Sequence, residues 1–128
     1  MRLGVVINIQ SFSKITGISA HTIRYYEKIG VLKHVARNTS GHRDFTSKDI
    51  DWIGFVKRLK DMGMPLDNIK LYADLREKGD ATAELRKQLL QEHAAILQEK
   101  IALESLHLKN IKQKIIHYEN QINNELKV

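Results

Sequence analysis

The sequence predicts a mainly α-helical protein, a winged helix-turn-helix head followed by one long C-terminal helix patterned for a coiled coil. Three observations carry this prediction. Short apolar-periodic segments, each opened by a capping residue and closed by a glycine, fill the first half of the chain. A stretch without Pro or Gly then runs from Ala81 to Leu126, rich in Leu, Ala, Glu, Gln and Lys. Finally, the net charge of +6 sits wholly in residues 1–64, with eleven Lys/Arg against five Asp/Glu, while residues 65–128 carry ten of each.

A chain of 128 residues with 42% hydrophobic and 28% charged residues has an ordinary globular composition. No apolar run approaches the ~20 residues needed to span a bilayer, and the stretch Gly4-Val5-Val6-Ile7 is too short for a secretory hydrophobic region. The absence of cysteine excludes disulfides and thiolate chemistry, and the expected compartment is the cytoplasm. A half-chain with all the excess positive charge points to a polyanion partner.

Asn8 is placed to cap a first helix whose apolar stripe is Ile9, Phe12 and Ile15 and which stops at Gly17. Ser19 caps a second helix, Ala20 to Ile29, ended by Gly30. Two helices joined across Thr16-Gly17-Ile18-Ser19 have helix-turn-helix spacing. In residues 31–45, Val31-Leu32 and Val35-Ala36 are β-compatible. Arg37-Asn38-Thr39-Ser40-Gly41 is a turn cluster, and His42-Arg43-Asp44-Phe45 alternates again. The expectation is a β-hairpin, hence a wing.

Thr46 with Asp49 caps a third helix, Ser47 to Met62, with Ile50, Ile53, Phe55, Val56 and Leu59 as core contacts. Pro65 starts a fourth helix that ends near Lys78-Gly79. The last segment, 81–126, is a single helix of about 68 Å at 1.5 Å per residue. Ala94, Ile101, Leu108, Ile115 and Ile122 recur at heptad spacing. Leu90, Leu97, Ile111 and Tyr118 hold the matching offset, interrupted by Glu104. That seam needs a partner helix, and a second copy of the chain supplies one. Leu89, Ile96 and Leu103 form a further apolar line beside it.

On the second helix His21, Arg24, Tyr25 and Lys28 stand at i, i+3, i+4 and i+7 and share a face, while Ile23, Tyr26 and Ile29 lie toward the other side. A cationic and aromatic face on the second helix of a helix-turn-helix suits the DNA major groove. Arg37 and Arg43 bracket the wing loop, where two cations can straddle a phosphate track or enter the minor groove. Lys57, Arg58 and Lys60 add charge late in the third helix. Glu27, Asp49 and Asp51 read as packing and capping groups, and no phosphate-binding loop or nucleophile–base pair suggests an enzyme. No catalytic residue is assigned and no cofactor is expected.

The run from Ile18 through His21-Thr22-Ile23-Arg24-Tyr25-Tyr26-Glu27-Lys28 to Leu32 resembles the recognition-helix signature of the MerR family of bacterial transcription regulators. Arg37 through Phe45 resembles the family's wing, and Phe55-Val56-Lys57-Arg58-Leu59-Lys60-Asp61-Met62-Gly63-Met64 its next motif. The likeness covers residues 7–78 as a DNA-binding domain with its wing at 31–45, and 81–126 fits the family's dimerisation helix. It implies an antiparallel coiled-coil homodimer on pseudo-palindromic double-stranded promoter DNA. Such a dimer acts by bending and untwisting an overlong promoter spacer so that RNA polymerase engages both elements.

The matching positions imply DNA contacts from Ser19, Thr22, Arg24, Tyr25, Arg37, Arg43 and Lys60, with His21, Lys28, His42 and Lys57 beside them. His42 and Phe45 stand where the family wing carries Tyr, and His21 where many members carry Arg. Asp51-Trp52-Ile53-Gly54-Phe55 and Lys78-Gly79-Asp80 look most like the aldehyde- and nitrosative-stress-responsive subgroup, whose sensor cysteine is matched here by Arg58. No pair among His21, His34, His42, His93, His107 and His117 has zinc-site spacing, so no metal is expected, and His93 and His107 read as surface residues. Two other readings stay open: an architectural DNA-binding protein without an effector, and a coiled-coil adaptor whose head binds protein.

Overall fold

The computed structural model describes residues 5–126, so Gly4 of the N-terminal apolar stretch lies outside the described residues. The order is α1 (Ile9–Thr16), α2 (Ala20–Ile29), β1 (Ala36–Arg37), β2 (Arg43–Asp44), α3 (Ser47–Asp61), α4 (Leu66–Glu77), a 3-10 turn (Asp80–Thr82) and α5 (Ala83–Leu126). Two compact units divide it, the first extending to Leu89 and the second beginning at Leu90. Among the described residues no helix is long and apolar enough to cross a membrane.

The caps expected from the sequence are formed. Asn8 Oδ1 accepts the Ser11 N–H at 2.9 Å and Ser19 Oγ the Thr22 N–H at 3.1 Å, each satisfying a first-turn donor with no helical acceptor. Asp49 Oδ2 accepts the Thr46 N–H at 3.0 Å, the reciprocal half of a capping box. Gly17 turns α1 toward α2 at φ 72°, and a Cβ there would lie 2.9 Å from Lys57 Nζ. Lys57 itself donates to the Thr16 carbonyl at 3.3 Å, closing the end of α1 with a cation, as the helix dipole favours.

The head core is built from Phe12, Ile23, Val31, Phe45, Ile53, Val56 and Ile69, all with 0% exposure. Burial of each such side chain contributes about 1.5–3 kcal/mol. The Phe12 and Phe45 rings stack with centroids 4.1 Å apart, joining α1 to the end of the wing. There Ile7 and Phe45 exchange both backbone hydrogen bonds, at 2.9 and 2.8 Å. The Trp52 indole N–H donates to the Val31 carbonyl at 2.8 Å, and the Arg76 guanidinium lies 4.4 Å over the Trp52 ring. Trp52 thus fastens α3 and α4 to the segment following α2. Lys33 adds an ion pair to Asp74 at 2.8 Å, and His34 pairs with Glu77.

Several expectations are corrected. Val31 and Leu32 are not strand residues: their N–H groups both donate to the Tyr26 carbonyl, at 2.9 and 3.0 Å, which closes α2 and leaves them no donor for a ladder. Both side chains are buried instead. The hairpin is shorter than expected, pairing Ala36 with Asp44 and Arg37 with Arg43. Ile15 is 56% exposed, because three-residue steps fall about 60° short of a full helical turn and carry it off the face of Phe12. Phe55 and Ile50 are only half-buried, while Trp52 takes a core position. His93 is buried, one turn after buried Leu89 on the same helix face, and not a surface residue.

The second unit is the remainder of α5. Among its seam residues Ile101, Leu108, Ile111, Ile115, Tyr118 and Ile122 are 50–60% exposed, Ala94 is exposed, and Leu90 and Leu97 are half-buried. Of the line beside the seam, Leu89 is buried and Ile96 and Leu103 are exposed.

Candidate nucleic-acid interface

Helix α2 presents the side chains on which a reading surface depends. Ile23 and Tyr26 point into the core, the latter with its phenol pushed above its ordinary pKa by burial. That anchoring leaves His21, Arg24, Tyr25 and Lys28 exposed together along the opposite face, with Tyr25 at 45% exposure. At the start of the helix the Ser19 hydroxyl lies 3.0 Å from Thr22 Oγ1, so these two polar groups act as a joined pair at the N-terminal turn.

The wing is held by its own loop. Asn38 Oδ1 accepts the N–H groups of Ser40 at 2.9 Å and His42 at 3.0 Å, and the Asn38 N–H donates to the His42 carbonyl at 2.8 Å. Arg37 Nη1 donates to the Gly41 carbonyl at 3.1 Å. Gly41 makes this turn at φ 82°, a left-handed conformation open to glycine at little cost.

Between wing and helices runs a groove of about 450 Å³, whose lining includes Arg24, Arg37, His42 and Arg43, the neutral polar Asn8, Gln10 and Asn38, and one carboxylate, Asp44. Four of the cationic or polar residues singled out from the sequence therefore meet in one place. Glu27 also approaches this assembly, accepting from Arg43 Nε at 2.6 Å with Arg37 3.5 Å away. The sequence pattern points neither to Glu27 as a partner of the wing nor to Gln10 as a lining residue. Sixteen positions separate Glu27 from Arg43, and helical periodicity carries no information at that distance.

Other site candidates lie apart from the groove. Lys57 caps α1, and Lys60 is exposed on the last turn of α3. Arg58 is exposed on α3, its guanidinium 5.8 Å over the Phe55 ring. Among the described residues no group of three or more His, Asp or Glu is arranged to hold a metal ion.

A helix-turn-helix with a cationic second helix, flanked by a short basic wing, has the architecture of winged DNA-binding proteins. Residues 7–75 match the pattern of the MerR HTH family regulatory proteins, and residues 50–106 that of the MerR DNA-binding region. The chain belongs to the MerR family, one of transcription regulators and not of enzymes. It is 39% identical over 84 residues to the HTH-type transcriptional regulator AdhR of Bacillus subtilis, a match covering 66% of this chain and 60% of AdhR, less than two thirds of that protein. An uncharacterised HTH-type regulator of Haemophilus influenzae is 37% identical over 80% of this chain and 76% of its own. Among solved structures, HiNmlR, a MerR family regulator lacking the sensor domain and bound to promoter DNA, superposes with a TM-score of 0.78. Identity to it is 33%, over 91% of this chain and 92% of that one. A MerR family protein from Listeria monocytogenes reaches a TM-score of 0.84 at 34% identity, covering 94% of each chain.

Proposed function

We propose that the chain works in the cytoplasm as a homodimer joined along α5, placing two heads on the halves of a pseudo-palindromic promoter site. The observation that carries this is the row of half-exposed apolar side chains at heptad spacing on α5, from Ile101 to Ile122. An apolar stripe of that length left in water is the signature of an interface, and an identical helix satisfies it. Arg24, Tyr25, His21 and Lys28 of α2 then face the major groove, with Ser19 and Thr22 at its N-terminal turn. Arg37, Arg43 and His42 follow the adjoining backbone, and Lys57 and Lys60 lend further positive charge.

Two linked heads also explain how binding becomes control. Bending a site of 20–30 base pairs by 40–90° costs on the order of 1–6 kcal/mol, and wing contacts on both flanks offset that cost. The dimer thereby bends and untwists the spacer until RNA polymerase meets both promoter elements in register. A promoter duplex with fluorophores at its two ends tests this. Binding of two chains per duplex should bring the ends closer, and two-chain binding that leaves the end-to-end distance of straight DNA would refute the distortion mechanism.

A further inference from the structure

We infer that Glu27 is a positioning and specificity-determining residue, a carboxylate on the recognition helix that holds the wing at one setting against that helix. The inference rests on the DNA-reading face proposed above. Arg37 and Arg43 are directly paired across the hairpin, one from each strand. Like charges on directly opposed strand residues repel, so the two-residue strands would be pushed apart at their cationic position. One Glu27 oxygen answers both, taking the Arg43 Nε–H at 2.6 Å and lying 3.5 Å from Arg37. The side chains of Glu27 and Arg43 are each 22% exposed, so their pair is partly shielded from solvent, while Arg37 remains 45% exposed for a phosphate.

A carboxylate beside a surface that meets a polyanion weakens attraction to any DNA, whatever its sequence. Its use lies in geometry. With Arg43 clamped, the wing arginines are presented at a defined distance from Arg24 across the shared groove. Removing the carboxylate therefore has opposite effects on two kinds of binding. Sequence-independent attraction rises because a negative charge is gone, while recognition that needs helix and wing in register falls.

The test uses the full chain, a duplex enriched by the native chain from a randomised pool, and an unrelated duplex of equal length. For E27Q and E27A, affinity for the unrelated duplex should be unchanged or higher, with a salt dependence steeper by about one counterion. Preference for the enriched duplex should fall roughly tenfold, the size of one lost contact that discriminates between bases. In an R43Q background E27Q should cause no further loss of preference, because its effect passes through Arg43. E27Q keeps side-chain shape and decides the matter if E27A does not fold. An unchanged preference in E27Q, or an equal weakening on both duplexes, overturns the inference. A native chain that enriches no duplex overturns the DNA-reading face itself.

Discussion

Arg24 stands exposed on α2 and also lines the groove shared with the wing, which in the proposed complex lets it meet a base edge while the wing follows the backbone. Replacing Arg24 with Ala should cost roughly 1–3 kcal/mol of affinity for the selected duplex and relax preference at one base pair. Gel-shift titration against point variants of that duplex measures it, and an affinity identical to that of the native chain would exclude Arg24 from base reading. A second residue to probe is Glu77. The His34 imidazole hydrogen-bonded to it, with Lys33 beside it, holds its carboxyl below the ordinary carboxylate value. A lowered folded value means that the charged form is favoured by folding. The stabilising contribution is therefore fully present above the unfolded carboxylate value and is lost as the pH falls through the folded one. An NMR titration of the Glu77 carboxyl should show the lowered midpoint, and His34→Ala should move it back up. A midpoint indifferent to that substitution would mean that the pair does not form in solution.

Among the helices and the wing, the connection most open to test is the one from Trp52 of α3 to Val31. A Trp52→Phe variant leaves the buried Val31 carbonyl without its indole donor and also removes part of a ring stacked on Tyr72 and covered by Arg76. The expected loss is about 1–3 kcal/mol in chemical unfolding. A transition midpoint equal to that of the native chain would show that the hydrogen bond contributes nothing net. The close of α2 on the Tyr26 carbonyl is what keeps residues 31 and 32 out of a strand. The apolar Val31-Leu32 pair, with β-branched Val31, suits a strand, but the close of α2 claims their N–H groups and the core claims their side chains. Helix ends, by contrast, were legible, since Asn8, Ser19, Asp49 and Gly17 act through bonds to backbone only a few positions away.

In the proposed dimer the seam of α5 decides whether there is one head or two on the DNA. Leu108→Glu places a carboxylate in the seam in each of two copies, and loses about 1.5–3 kcal/mol of burial per copy. Dimerisation should weaken at least about a hundredfold by sedimentation equilibrium. The salt dependence of binding should fall with it, because a single head releases fewer counterions. An unaltered association constant would place the dimer contact elsewhere on the chain.

Periodicity, caps and charge distribution are properties of neighbouring residues, so the sequence alone determined the succession of helices, the cationic face of α2, the wing loop and the heptad line of α5. Tertiary structure alone decided what meets across long separations: Glu27 against Arg43 and Arg37, Trp52 against Val31, Lys57 against the end of α1, and the burial of His93. The division has a physical origin. A cap or a stripe is specified by the few bonds that follow it along the backbone, whereas an ion pair between remote residues exists only once the core has fixed where their backbones stand.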